Sequence, residues 1–327
     1  MTAVRPAKPA GKPPALPFAP ILADLDAADA IFDAALDSYR TPFATLVEHL
    51  KHYRGKRLRP AILLLAAKAN GPVNERHHIL AASLEMIHTA TLVHDDVLDE
   101  AAVRRHASTI NAQWGNKISI LLGDMLFSQA FLLASRVDRR ACEWIGESTT
   151  RVCAGELRQV SERGNLHLTE ADYFAIVDGK TAALTEVAGR LGAIYAGATE
   201  YIADKLASYG RHLGIAFQIA DDILDLAGDE TKTGKTLGTD LDERKLTLPL
   251  IHCLARHPDP ETVRDAITRG DRKVIQTAIA RTGAIDSAAK VAADHAKRSR
   301  SELDCLPPGE CRSILESLTE WAMRRET

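Results

Sequence analysis

Met86-Ile87-His88-Thr89-Ala90-Thr91-Leu92-Val93-His94-Asp95-Asp96-Val97-Leu98-Asp99 is an apolar segment that ends in three carboxylates. Its apolar residues recur at three- and four-residue spacing, the period of a helix and not of a strand. On a helix Asp95 and Asp99 share one face, roughly one 5.4 Å turn apart. Carboxylates so placed repel one another, and the partial negative charge of a helix C-terminus adds to the repulsion. A hard divalent cation relieves both. Magnesium fits, because it binds few protein carboxylates and completes its shell with water and phosphate oxygens. Asp221-Asp222-Ile223-Leu224-Asp225 repeats the pattern within a second apolar stretch, Ile215 to Leu226. One such pentapeptide reads as a solvated acidic face. Two, each set in a segment whose core side a casual run of acids would spoil, read as facing helices that clamp a diphosphate through bridging metal ions.

The helical period runs through most of the chain, aromatics are scarce, and no alternating run of Val, Ile or Thr lies between turn residues, so the expected fold class is all-α. Breaks are expected at Gly71-Pro72, Gly164-Asn165, Gly228 through Leu246, His257 to Pro260 and Pro307-Pro308-Gly309. One of the longest helices is expected from Glu75 to about Ala102. Thr169-Glu170-Ala171-Asp172 resembles a capping box, with Asp172 in place of Glu or Gln, ahead of the helix that carries Lys180. At 327 residues the length allows one large helical core with a shared cavity or two domains. Met1 to Pro20, rich in Pro, Ala and Lys, reads as a flexible tail without the apolar core of a signal peptide, which leaves 21–327 as a single helical domain.

A formal net charge of -3, with Lys and Arg spread along the chain, gives no reason to expect nucleic acid and points to small-molecule chemistry. Cys142, Cys153, Cys253, Cys305 and Cys311 are odd in number and widely spaced, which fits neither a disulfide framework nor a zinc knuckle and suggests a reducing cytoplasm. Uninterrupted apolar runs such as Ala61 to Ala67 are too short to span a bilayer. A soluble protein is expected, able to rest weakly on a membrane.

Arg54-Gly55-Lys56-Arg57-Leu58-Arg59-Pro60 gathers four cations before a proline suited to the first turn of a helix, an anion site by composition and by its free N–H groups. Arg104-Arg105 follows the first acidic cluster by one to two helical turns, and Lys235 and Lys245 lie in the stretch after the second. Singly each cation reads as a surface group; together they balance a second diphosphate that has no metal of its own. His88, two turns before Asp95, lies on a similar face.

In order and spacing, Gly55-Lys56-Arg57-Leu58-Arg59-Pro60, the first acidic cluster, Arg104-Arg105, Lys180-Thr181, Phe217-Gln218, the second cluster and Gly234-Lys235-Thr236 resemble the trans-type isoprenyl diphosphate synthases, the polyprenyl synthetase family, over roughly Ile21 to Arg325. The resemblance implies a bundle of long antiparallel helices around a deep central cavity, a homodimer, and head-to-tail prenyl transfer from an allylic diphosphate, farnesyl or geranyl, to isopentenyl diphosphate. It implies that Asp95, Asp96, Asp99, Asp221, Asp222 and Asp225 hold the magnesium, roughly three ions with substrate bound, around the allylic diphosphate. Arg104, Lys180, Lys235 and Lys245 would add charge on that leaving group, and Thr181 and Gln218 dipoles beside the allylic cation. Isopentenyl diphosphate would sit on Lys56, Arg59, His88 and Arg105. The proton lost after its double bond attacks would leave with the diphosphate. Two positions depart from the family's pattern: His106 stands where Gly usually follows the double arginine, and Arg54 where the first motif usually has a second Gly. Both bear on local loop geometry, and neither removes a ligand.

The growing chain is expected to run beside the helix of the first cluster, with Ala90 and Thr91 at the floor. Small side chains here, about 7.5 Å up the axis from Asp95 at Ala90, leave room where family members making short products often place an aromatic ring. This resembles members that make long polyprenyl diphosphates for quinone side chains; a geranylgeranyl or farnesyl product is the alternative. Met86, Phe127 and Phe131 are deeper candidates for a final stop, although each reads first as a core residue. A class I terpene cyclase would carry a second motif mixing Asn or Asp with Ser or Thr and Glu. A catalytically silent partner subunit would have lost aspartates or the basic motif. Neither pattern is found here.

Overall fold

The computed structural model describes residues 18–227 and 238–323. Fifteen helices account for nearly all of the described regular structure, and the only strands among these residues form one small hairpin. The first helices are α1 (Leu22–His49), α2 (Leu58–Asn70), α3 (Glu75–Leu98), α4 (Ile110–Trp114), α5 (Asn116–Val137) and α6 (Arg139–Ser161). Next come α7 (Glu170–Val177), a π-helical turn (Asp178–Ala182), α8 (Ala183–Tyr195) and α9 (Glu200–Ala227). The last are α10 (Thr239–Asp242), α11 (Leu248–Arg256), α12 (Pro260–Arg269), α13 (Arg272–Thr282), α14 (Ala284–Glu302) and α15 (Glu310–Met323). The hairpin joins β1 (Val103–Arg104) to β2 (Ala107–Ser108).

Local chemistry sets the boundaries. Asn74 accepts from the main chain of α3 while His77 reaches back to the Asn74 N–H, a capping box at the start of that helix. Thr169 and Asp172 close the expected box at the start of α7. α1 departs from helical geometry at Phe43, directly after Pro42, which has no N–H to donate. The breaks at Gly71, Gly164, His257 and Pro307 fall between helices as expected.

α2 is buried on nearly every side, Ile62, Leu63, Leu64 and Leu65 included, because α3, α8 and α15 pack around it. α3 lies against α5, and α8 and α14 lie against α9. A second apolar cluster joins α7 and the end of α9 to α11 through α14. Among the described residues packing already includes Phe18, ahead of the expected boundary at Ile21: the Phe18 ring is buried in the core, and Lys68 Nζ donates to the Pro20 carbonyl at 2.5 Å.

Two expectations change. The helix expected to reach about Ala102 stops at Leu98, and Arg104 and Arg105 lie on the hairpin that follows. α5 is long and apolar enough to cross a membrane by length and composition, which a search for uninterrupted apolar runs passes over. It packs along α3, where Gly123 leaves room for the His94 ring.

Candidate active site

The chain between α2 and α3 is short, so the two helices run antiparallel and α2 begins where α3 ends. α8 and α9 are related in the same way. Carboxylates thus sit at the C-terminal ends of α3 and α9 while cations flank the start of α2, the reverse of what helix dipoles favour, at about 0.3–1 kcal/mol for each such charge. An end of the bundle charged against its own dipoles suits ligands that bring the opposite charges.

In the first cluster Asp96 is fully buried. Its Oδ2 accepts from the Tyr53 hydroxyl at 2.6 Å and its Oδ1 from Arg104 Nε at 2.7 Å. Tyr53 in turn accepts the Ile110 N–H at 3.0 Å. Asp95 and Asp99 stay partly exposed. Burial pushes the Asp95 carboxyl up to about 6; Lys180 opposes this, and Glu156 and Asp99 add to it. Asp99 pairs with Arg163 and, at 3.4 Å, with Lys245. Lys245 also pairs with Glu243, so it ties the first cluster to the loop that follows the second.

The second cluster repeats this division. Asp222 is buried: its Oδ2 accepts from the Tyr173 hydroxyl at 2.6 Å and its Oδ1 from Gln218 Nε2 at 2.8 Å. Burial, with Asp240 and Asp221 near, holds the Asp222 carboxyl well above its ordinary value. Thr181 donates to Gln218 Oε1 at 2.8 Å, so Thr181, Gln218 and Asp222 form one hydrogen-bonded chain. Asp225 accepts the N–H groups of Gly238, Thr239 and Asp240 at 3.1–3.2 Å and caps the start of α10 from across the loop. That fold-back brings in Asp240, whose carboxyl is pushed up to about 7 by burial and by Asp225, with Lys245 opposing.

The six aspartates therefore divide. Asp96 and Asp222 have both oxygens engaged by side-chain donors, and Asp225 is held by main-chain N–H groups, whereas Asp95, Asp99 and Asp221 keep exposed surface. Among the described residues no group of three or more His, Cys, Asp or Glu side chains is set to hold a metal ion by itself. The donor set suits magnesium nonetheless, since that ion needs one or two carboxylates and takes the rest of its shell from water and phosphate.

Lys180 and Thr181 sit on the π-helical turn, the kind of local irregularity that helices often carry at functional sites. Backbone contact with α6 fixes its position. A Cβ on Gly155 would lie 2.5 Å from the Lys180 nitrogen, and one on Gly179 2.7 Å from the Arg151 carbonyl oxygen. This approach puts Lys180 Nζ 2.6 Å from Glu156 Oε2 and 2.7 Å from Gln159 Oε1. Asp178, at the start of the turn, is held by Arg151 at 3.0 Å and by Arg211. Lys235 lies outside the described residues.

A cavity of about 300 Å³ opens beside the start of α2, where Lys56, Arg59, Glu85, His88 and Arg105 line it, and reaches Thr181 on the π-helical turn and Leu224 within the second cluster. Of the four cations in the first basic run, Arg54 pairs with Asp33 at 2.6 Å and Arg57 with Asp29 at 2.8 Å, both on α1. Lys56 lies 4.7 Å over the Trp321 ring. Arg59 Nε is buried without a hydrogen-bond partner. Burial and the nearby Arg59, Arg105 and Arg104 hold the His88 imidazole well below its ordinary value. Arg105 donates to the Tyr53 carbonyl at 2.5 Å, and its guanidinium fills the space a side chain at position 55 would need.

Arg105 and His106 form the two-residue turn of the hairpin, with φ of 49° and 64°. Both lie in the left-handed region, as a type I′ turn requires, which gives the physical reason for a glycine at position 106. Arg54 is extended, with φ -65° and ψ 124°, so it needs no glycine freedom. Ala90 is fully buried, and the partly exposed Thr91 donates to the His88 carbonyl at 2.8 Å. Sequence reading missed Tyr53, Glu156, Arg163, Tyr173, Asp240 and Trp321. Of these only Asp240, close behind the second cluster, left a local trace.

Residues 40–281 match the family model described as Polyprenyl synthetase. The chain is 37% identical over 315 residues to an all-trans-nonaprenyl-diphosphate synthase (geranyl-diphosphate specific) of Rhodobacter capsulatus, covering 94% of this chain and 97% of that one. It is 36% identical over 293 residues to the octaprenyl diphosphate synthase of Escherichia coli, covering 86% and 90%. It also superposes, with a TM-score of 0.88 and 35% identity over 94% and 97% of the two chains, on a crystal structure of a polyprenyl synthase from Caulobacter crescentus complexed with calcium and isoprenyl diphosphate. The chain belongs to the polyprenyl synthetase family of trans-prenyltransferases.

Proposed function

We propose that this prenyltransferase adds isopentenyl diphosphate head to tail to an allylic diphosphate, with magnesium, and elongates it to a long all-trans polyprenyl diphosphate of the kind used for quinone side chains. The observation that carries this reading is a pair of adjoining sites of opposite charge: an acidic rim at the ends of α3 and α9, and a cavity at the start of α2 that Lys56, Arg59 and Arg105 line and that reaches Thr181. An acidic rim can take a diphosphate only with cations between; a basic pocket takes one directly. Two diphosphates are thus held in different ways, and only the one at the rim is readied to leave.

Asp95, Asp99 and Asp221, with Asp225 and Asp240 behind them, would hold the magnesium, which when bound neutralises the allylic diphosphate and makes it a better leaving group. Lys180, set by Glu156 and Gln159, and Lys245, beside Asp99, add positive charge at the same place. Arg104 braces Asp96, and Lys235 joins Lys180 by family resemblance. Lys56, Arg59, Arg105 and neutral His88 bind isopentenyl diphosphate. Thr181 and Gln218, in one hydrogen-bonded chain, set a fixed dipole beside the carbon that becomes cationic. The double bond attacks there, and the proton leaves with the departing diphosphate.

Long product is supported by small Ala90 and Thr91 before Asp95 and by the long-chain names of relatives alike over nearly their whole length. A homodimer is supported by the exposed apolar residues Ile120, Leu121 and Leu132 on α5 and Leu157 and Val160 on α6. Incubation with farnesyl diphosphate and labelled isopentenyl diphosphate, followed by dephosphorylation and sizing, tests the reading. Products of many added units are expected; a product stopping after one or two additions would overturn the long-chain part, and no incorporation would overturn the whole.

A further inference from the structure

The same arrangement occurs at both acidic helix ends, built from unrelated elements. Tyr53 closes a 3-10 turn (Leu50–Tyr53) before α2, and Tyr173 lies on α7. Both are buried, and each hydroxyl donates at 2.6 Å to Oδ2 of the middle aspartate of its cluster, Asp96 or Asp222. A second donor takes Oδ1 in each case, Arg104 Nε at 2.7 Å and Gln218 Nε2 at 2.8 Å. Consecutive residues on a helix point about 100° apart, so a middle aspartate drawn into the protein turns its preceding neighbour toward the cavity. We propose that Tyr53 and Tyr173 are positioning residues that hold Asp96 and Asp222 out of the metal site and so set the rotation of the two helix ends that present Asp95 with Asp99, and Asp221.

This rests on reading the clusters as the metal and diphosphate site. Without the tyrosine hydroxyl, a buried carboxylate oxygen loses its donor, and the side chain regains a partner only by turning toward a cation or drawing the helix end with it. Either movement disturbs the coordination that Asp95 and Asp99 offer. Groups that orient metal ligands typically change metal affinity about 10- to 100-fold when removed.

The molecule contains its own control. Tyr195, at the far end of α8 from the π-helical turn, donates to Asp138 at 2.7 Å, the same bond placed away from the clusters. The experiment compares full-length parent, Tyr53→Phe, Tyr173→Phe and Tyr195→Phe enzymes, measuring isopentenyl diphosphate incorporation against free magnesium, with melting temperatures recorded for each. The expected result is a rise of about 10-fold or more in the magnesium needed for half-maximal rate in Tyr53→Phe and Tyr173→Phe, with Tyr195→Phe unchanged. A half-maximal magnesium concentration at or below the parent's in both site variants overturns the inference while leaving the metal site standing. If Tyr53→Phe does not fold, Tyr173→Phe alone decides. Parent activity independent of magnesium overturns the underlying reading and this inference with it.

Discussion

Burial pushes the carboxyls of Asp95 and Asp240 up to about 6 and about 7, from 3.8 for an ordinary aspartate. Between about pH 4 and about pH 7 the folded, metal-free protein therefore holds more protons than the unfolded chain, and these two groups weaken the fold as pH rises through that window. Magnesium, bound as proposed, would relieve the cost of ionising them. The gain in melting temperature from added magnesium over chelator should grow between about pH 5.5 and about pH 7.5; a gain that does not change with pH would contradict this. At His106 the strain is conformational. A side chain at φ 64° costs about 1–2 kcal/mol that glycine avoids, partly offset by glycine's freedom when unfolded. His106→Gly should leave activity near the parent's and stabilise by about 0.5–1 kcal/mol in denaturant unfolding; a loss of stability would show that the imidazole makes a compensating contact.

The π-helical turn is the element on which the placement of Lys180 and Thr181 depends, and Gly155 lets α6 approach it. Gly155→Ala would set a methyl 2.5 Å from the Lys180 nitrogen, where only backbone can give way. A cost of about 1–3 kcal/mol is expected, with a fall in kcat larger than any change in KM for isopentenyl diphosphate if the shifted Lys180 serves the leaving diphosphate as proposed. Equal stability and kcat would mean that the two segments separate freely. This element also shows where sequence reading ends. The acidic pentapeptides, the Thr169–Asp172 box and the breaks at Gly71 and Gly164 were legible because each is a local pattern with one physical meaning. The π-helical turn and the Arg104–Ala107 hairpin were not, since the first packs against Gly155 on another helix and the second is a turn of two positive φ angles without its usual glycine. Tyr53 and Tyr173 were invisible for a related reason: a lone tyrosine reads as core, and its partners lie 43 and 49 residues away.

Across the whole molecule, antiparallel packing gathers the site from distant segments: the start of α2, the ends of α3 and α9, and the turn between α7 and α8. On the proposed function, the same bundle would also set the direction in which product grows. Ala90 lies fully buried on α3, in the apolar cluster that Phe127 and Phe131 of α5 border. Ala90→Tyr should shorten the product by several isoprene units on chromatography; an unchanged length distribution would remove Ala90 from the floor of the growing chain. On the proposed function, two acidic helix ends beside a cationic cavity would require divalent cations for one diphosphate and none for the other. The most direct test of that claim is the rate of isopentenyl diphosphate incorporation into an allylic diphosphate in excess chelator and after magnesium is restored. Turnover should vanish in chelator and return with magnesium; sustained turnover in chelator would contradict the assignment of the two aspartate clusters.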